Sequence, residues 1–487
     1  MREKTIWFIT GSQHLYGDEA LRRVAENTSE IVGYIDGKME VSLVARQVVT
    51  TPDEITKTMR EANADDDCIG VITWMHTFSP SKMWITGLKL LQKPLLHLHT
   101  QYNESLPYSE IDMDFMNLNQ AAHGDREHGF IYARMRKQRK VVVGYWKDED
   151  TIAQLNTWAS ACIGYDESQR LKVCRFGDNM REVAVTEGNK VSAELKLGWS
   201  VNGYGIGDLA EYISAVADSE VDALMAEYGT KYDIVTDDIA SVREQAKYEL
   251  AIGKFMADGG FGAFTTTFED LHGLKQLPGL ACQRLMGEGM GFGGEGDWKT
   301  AAMTRIMKVM AGNKKTAFME DYTYNFEKGN ELVLGAHMLE VCPTLAEGKV
   351  KIDVQPLGIG GKDAPARMIF DGVSGDAICV SLVDLGNRFR IIVSEVEGVP
   401  LPEKMPKLPV AGVTWRPKPS FHDGNRAWIL AGGAHHTTIS YTLTKEHIID
   451  FARIAGIECI VIGDGLDTAR FETDLLIGDM VWNAQSI

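Results

Sequence analysis

No run in the sequence approaches the ~20 consecutive apolar residues that a membrane-crossing helix needs. The apolar stretch Thr5-Ile6-Trp7-Phe8-Ile9-Thr10, after Met1-Arg2-Glu3-Lys4, is too short for the core of a secretory signal. Cysteine is sparse and unpatterned: seven residues, at 68, 162, 174, 282, 342, 379 and 459, make an odd total with no C-x-x-C pair. Several sit in apolar strand-like runs such as Cys68-Ile69-Gly70-Val71-Ile72. They read as buried small hydrophobes in a reducing compartment, so the expected location is cytoplasmic. Positive charge is in deficit, with 50 Lys and Arg against 68 Asp and Glu and a net charge of −18. That argues against nucleic acid, whose binding leans on clustered cations. The densest basic cluster, Arg134 to Lys140, reads as the polar end of a helix before a strand. An uncharged small ligand tolerates the acidity, and a divalent cation is favoured locally by it. There is no internal repeat and no low-complexity segment.

What is present is ordinary globular composition, 44% hydrophobic and 24% charged, over 487 residues. That length exceeds what one core usually supports, so two or three domains are expected. Up to about residue 170, short apolar runs (Ile6–Thr10, Val41–Ala45, Ile69–Trp74, Leu95–His99, Val141–Tyr145) alternate with helical stretches such as Asp18–Ile35 and Pro52–Ala64. This predicts a doubly wound parallel sheet over 1–171. Ligands of such sheets bind beyond the carboxyl ends of the strands, which singles out Gly11-Ser12-Gln13-His14-Leu15-Tyr16 after the first strand.

A strand at Val173–Phe176 and helices at Asp208–Ala217, Ile239–Met256 and Trp298–Met310 predict a second α/β domain over 172–316. Within it, Gly287 to Trp298 is too glycine-rich for regular structure and leads into a helix starting at Asp297. Over 317–487, short runs at Glu331–Leu334, Val350–Val354, Met368–Phe370, Ala377–Leu382 and Phe389–Val393 predict a β-barrel-like domain. A helix at Lys445–Ala455 and a strand at Cys459–Ile462 are expected to end the ordered part, with no chemistry in the tail from Asp464.

The glycine motifs do not make a nucleotide site. Gly203 to Gly207 and Gly358 to Lys362 lack G-x-G-x-x-G spacing in a strand–turn–helix unit, and Gly291 to Asp297 lacks the Lys-Ser/Thr of a P-loop. In the first βα turn, bulky polar side chains stand where a dinucleotide fold needs bare backbone, and they suit hydroxyl groups better than pyrophosphate. More informative are Glu295 on a glycine-flanked loop, Glu320-Asp321 ending an apolar run, His337 in an apolar setting, and His435-His436 beside small residues. Carboxylates and imidazoles without thiolate suit Mn²⁺, Mg²⁺ or Co²⁺. Each alone is weak, because a lone histidine on an apolar strand is more often a satisfied core group. Adjacent strand residues face opposite ways, so at most one of His435 and His436 is expected in the site. Composition and spacing reach no further than a Glu/His metal site.

Six segments carry a resemblance: Gly11–Gly17, Asn117–Gly124, Gly294–Lys299, Phe318–Tyr322, Leu339–Pro343 and Trp428–Thr437 look like those of L-arabinose isomerases, in the same order along nearly the whole chain. The resemblance implies three domains, a homohexamer, and Mn²⁺ (Co²⁺ or Mg²⁺ as alternatives) held by Glu295, Glu320, His337 and His436. It implies a sugar site lined by Gln13, Leu15, Tyr16, Gln120 and His123 from a neighbouring subunit, with Met180 and Phe268 also near the sugar. The implied reaction interconverts L-arabinose and L-ribulose, with D-galactose to D-tagatose as a side activity. Glu320 is assigned as base at C2 and Glu295 as acid at C1, through a cis-enediol; a hydride shift would use the same ligands. The rival readings are an isomerase of another sugar such as L-fucose, a non-catalytic sugar-binding protein, and an NAD-dependent oxidoreductase that lacks its fingerprint.

Overall fold

The computed structural model describes residues 4–485, which divide after Asp166 into two compact units. The first unit is built on five strands: β1 (Thr5–Gly11), β2 (Ser42–Ala45), β3 (Cys68–Met75), β4 (Leu95–His99) and β5 (Lys140–Val143). They form one sheet in the order β2-β1-β3-β4-β5, parallel throughout. All eight residues of β3 are buried, as a strand covered by helices on both faces requires. The helix Gly17–Asp36 buries Val24, Thr28, Ile31, Val32 and Ile35, a single stripe at helical spacing. The helix Pro52–Ala64 starts at a capping box in which Thr51 and Glu54 satisfy each other's backbone N–H groups. Strand order reverses between β1 and β3, and a doubly wound sheet binds ligands at such a switch point.

The second unit begins with β6 (Lys172–Phe176), β7 (Ser200–Tyr204), β8 (Asp233–Ile234), β9 (Ala263–Thr265) and β10 (Gly291–Gly293). All but β8 form a parallel sheet of order β10-β9-β6-β7, the expected second α/β layer. Strand β10 corrects the sequence reading, which leaves Gly287 to Trp298 without regular structure. Its glycines serve close packing: a Cβ on Gly291 would lie 2.2 Å from the Ala301 carbonyl oxygen, and one on Gly293 2.4 Å from that of Asp297. The helix Trp298–Met310 therefore rests directly on the strand's backbone.

Nine more strands follow: β11 (Thr316–Asn325), β12 (Leu332–Gly335), β13 (Lys351–Val354), β14 (Ala366–Ile369), β15 (Gly375–Asp384), β16 (Phe389–Val399), β17 (Val413–Pro417), β18 (His436–Ser440) and β19 (Glu458–Ile462). Six of them close an antiparallel barrel in the order β15-β18-β11-β12-β17-β16, completed by the β15–β16 pairing. Strand β19 adds to β16 in parallel, and β13 with β14 and β8 makes a small separate sheet. One core runs from the central α/β layer into the barrel through Phe264, Phe292, Phe318, Leu339 and Trp415.

The chain does not lose order after Ile462, as the sequence reading expects; a helix spans Thr468–Gln485. Its apolar residues are spread around the helix, with Leu476, Ile477, Met480 and Val481 exposed, so no amphipathic stripe announces it. Six of the seven cysteines are buried and Cys459 is half-buried, all as free thiols. Among the described residues no helix is long and apolar enough to cross a membrane.

Candidate active site

The carboxyl end of β10 delivers Glu295 on a backbone that few residues adopt. Its φ is +60°, between Gly294 and a Gly296 at +79°. Holding a non-glycine residue there costs on the order of 1 kcal/mol, and such strain persists only where the surroundings enforce it. They do so here: the Met180 N–H donates to the Glu295 carbonyl at 2.9 Å and the Gly296 N–H to that of Thr266 at 2.9 Å. Gly294 is needed for approach, since a Cβ there would lie 2.8 Å from His337 Nε2. The Glu295 carboxylate reaches 3.4 Å from His435 Nε2 and 3.8 Å from His436 Nε2.

His436 opens β18 and pairs directly across from Glu320 of β11, so the two side chains share a face of the ladder. It is fully buried, and its Nδ1 lies 3.2 Å from Asp297 Oδ2. An ionised carboxylate only accepts, so Nδ1 is the donor in this contact; Nε2 has no hydrogen-bond partner and stands 3.8 Å from the Glu295 carboxylate. His337 is likewise oriented by a carboxylate on Nδ1. Its Nδ1 donates to Glu340 Oε2 at 2.5 Å, and the same oxygen accepts from the Leu339 N–H at 3.1 Å. Imidazole Nε2 atoms oriented by a carboxylate on Nδ1 are what metal-ligating histidines commonly show. Phe318 packs against both rings, with centroids 4.9 Å from His337 and 5.2 Å from His436, and Phe268 stacks on His337 at 5.9 Å.

The electrostatics favour a cation. Burial opposes charge on His337, yet Glu340 beside it, with Glu320 and Glu295 beyond, holds the imidazole up at about 9. Burial raises Glu295, but the bond to His435 and the fields of His436 and His337 bring it below the usual carboxylate range. Asp297, wholly buried, is held far below that range by Lys299, His436 and Thr300 against its desolvation. Asp321 is pushed up to about 7 by burial and by Glu320. A divalent ion would take over the role that the extra proton on His337 plays in neutralising these carboxylates.

Glu295, His435 and His436 each offer a ligand atom within 4.8 Å of the others, a group that could hold a metal ion. This corrects the expectation that only one of the two adjacent histidines faces the site. Strand β18 begins at His436, so His435 belongs to the loop and escapes the alternation. The sequence reading also passed over Asp297 and Glu340. Their signal was spacing alone: Asp297 stands two residues after Glu295 and caps the next helix, and Glu340 stands three after His337.

Of the other candidates, Met180 holds the Glu295 backbone and Phe268 covers His337. Gln13, Leu15, Tyr16, Gln120 and His123 lie in the first unit, on the loop after β1 and at the start of the helix Ala121–Met135. Tyr16 Oη donates to Gln120 Oε1 at 3.2 Å, His123 stacks on Phe78 at 4.6 Å, and Leu15 is 83% exposed. Ser12 and Thr77 share a 2.7 Å hydrogen bond between the ends of β1 and β3, beside these residues.

Fold and site together define an α/β enzyme with a carboxylate–imidazole centre suited to proton transfer beside a divalent ion. Family models for the N-terminal, central and C-terminal domains of L-arabinose isomerase match residues 1–170, 172–313 and 315–458. The L-arabinose isomerase of Geobacillus stearothermophilus is 58% identical over 493 aligned positions, covering 100% of this chain and 99% of that protein. L-arabinose isomerase 1 of Bacillus licheniformis is 57% identical (94% and 93% covered), and the Clostridium beijerinckii enzyme 53% (98% of each). The chain belongs to the L-arabinose isomerase family, and with it to the aldose–ketose isomerases, enzymes of small sugars.

Proposed function

We propose that the chain interconverts L-arabinose and L-ribulose, and D-galactose and D-tagatose as a side reaction, with Glu295, Glu320, His337 and His436 holding a divalent ion. The observation that carries this reading is the pair of buried imidazoles, each with Nδ1 taken by a carboxylate, beside Glu295. His435, which reaches the same carboxylate, joins the set as a further donor. Bound Mn²⁺, or Co²⁺ or Mg²⁺ in its place, supplies Lewis-acid stabilisation of charge on the sugar oxygens.

The chain's own groups move the protons. Glu320 removes the proton from C2 and hands it to O1, which gives the cis-enediol. Glu295, kept ionised by the imidazoles around it, accepts the O2 hydroxyl proton and delivers it to C1. The C2 proton ends on O1, the O2 proton on C1, and both carboxylates return to their starting state. Phe318 and Phe268 wall the imidazoles from water, which strengthens each charge interaction inside.

We read the chain as three domains, 1–171, 172–316 and 317–487, assembled as a cytoplasmic homohexamer. Gln13, Leu15, Tyr16, Gln120 and His123 of one subunit complete the sugar site of its neighbour; the exposure of Leu15 and His123 supports this wall. Buried free thiols support the reducing compartment. Ketose formation from L-arabinose tests the reading. Dialysis against a chelator should abolish it and Mn²⁺ should restore it better than Zn²⁺. Full activity in metal-free protein overturns the metal's role, and turnover of L-fucose in place of L-arabinose would move the assignment to that sugar.

A further inference from the structure

A second cluster of buried titratable groups lies in the first unit, under the helix Ala121–Met135. His97 and His99 are two apart on β4 and so project to one face. Asp125, one turn into the helix, places its carboxylate against both: Oδ1 lies 2.8 Å from His97 Nε2 and Oδ2 2.9 Å from His99 Nδ1. The Met75 N–H, at the end of β3, donates to Oδ1 at 3.2 Å. Three N–H donors on one carboxylate set the tautomers, Nε2–H on His97 and Nδ1–H on His99. The bond to Asp125 also holds the half-buried His99 above its ordinary pKa. Behind them His128, fully buried and kept neutral by its desolvation, packs on His97 at 5.2 Å and on Tyr132 at 4.5 Å, with Arg139 over the Tyr132 ring.

The cluster sits at the end of the helix that must be aimed. Gly124 rests on the chain after β3, where a Cβ would lie 2.8 Å from the Thr77 carbonyl oxygen. The Gln120 N–H donates to the His76 carbonyl at 3.0 Å, and the Ala121 N–H to Gln101 Oε1 at 3.2 Å. The inner face of the first turn is thus fixed to β3 and β4, while His123 points outward, exposed, with Gln120 half-buried beside it.

We propose that Asp125 is a positioning residue for sugar binding: by tying the helix to β3 and β4 through Met75, His97 and His99, it fixes where Gln120 and His123 stand at the β1/β3 switch point. The inference rests on the reading that Gln120 and His123 line the sugar site. Asp125→Asn keeps the shape but sets an amide donor against N–H donors, so the helix shifts. Steady-state kinetics of the Mn²⁺-loaded enzyme with L-arabinose should give a KM about tenfold higher, with kcat and bound Mn²⁺ within about twofold.

Added to a Gln120→Ala/His123→Ala background, Asp125→Asn should raise KM by less than about twofold, because residues acting as one unit are not additive. An unchanged KM in Asp125→Asn, or the same tenfold rise on both backgrounds, overturns the proposal. If Gln120→Ala/His123→Ala itself leaves KM unchanged, the sugar-wall reading fails and takes this inference with it, an outcome distinct from the others. Should Asp125→Asn not fold, the half-exposed His99 decides. His99→Leu should raise KM, and His99→Asn, whose Nδ2–H replaces Nδ1–H, should recover most of the loss; equal KM values in the two overturn the proposal.

Discussion

Asp297 accepts from His436 Nδ1 at 3.2 Å, from Thr300 Oγ1 at 2.7 Å and from Lys299 Nζ at 3.2 Å, so one buried carboxylate aims an imidazole, caps a helix and pairs a buried cation. Asp297→Asn should weaken Mn²⁺ binding by about 10–100-fold, the usual cost of losing such a partner. Titration of metal-free protein with Mn²⁺ measures it. The same carboxylate shapes acid stability. Its folded pKa lies far below the unfolded value of about 3.9, so its contribution is fully present above that pH and is lost only as the pH falls from there through the folded pKa. Metal-free Asp297→Asn should therefore unfold at a clearly lower denaturant midpoint than the parent at pH 7, and the gap should begin to narrow below about pH 4 without closing at pH 3. At this scale little was legible from chemistry alone. Glu295, Glu320, His337 and His436 stood out only as separate weak candidates until the resemblance joined them, whereas Asp297 and Glu340 stand two and three residues from ligand candidates and only the fold brings their carboxylates onto imidazole Nδ1 atoms. His435 was set aside because the start of β18 at His436 was not visible in the sequence.

Gly291 lets the helix Trp298–Met310 lie on β10, and that helix carries Asp297 at its N-cap. A Cβ there meets the Ala301 carbonyl oxygen at 2.2 Å and the Arg305 backbone nitrogen at 2.7 Å, backbone that cannot swing aside. Gly291→Ala should destabilise the fold by about 3 kcal/mol or more, read as a lower denaturation midpoint. An unchanged midpoint would mean that the helix can ride outward freely. Elements with local signals were legible. Pro52–Ala64 has its capping box, Trp298–Met310 its Asp cap, and β3 its apolar run. Strand β10 and the helix Thr468–Gln485 were missed for opposite reasons: glycine hides a strand that exists for close packing, and an unstriped helix offers no period to find.

At the scale of the molecule, the polar groups proposed to face the sugar and the carboxylate–imidazole centre belong to different compact units of the chain. If neighbouring subunits complete each other's sites, mixing His123→Ala chains, weakened in sugar binding, with inactive Glu320→Gln chains under subunit exchange should raise turnover at low L-arabinose above that of either alone. No such rise in verified mixed oligomers would place each site within one chain. The α/β alternation and the β-rich third were legible because periodicity follows burial, while closure of the barrel needs β18 to insert between β11 and β15, pairings far apart in sequence. The most direct test of the account is anomalous scattering from crystals of catalytically active, Mn²⁺-loaded enzyme. The account predicts one strong manganese peak per chain, touching Glu295, Glu320 and the Nε2 atoms of His337 and His436. A peak bound elsewhere, or none in crystals that still turn over L-arabinose, would contradict it.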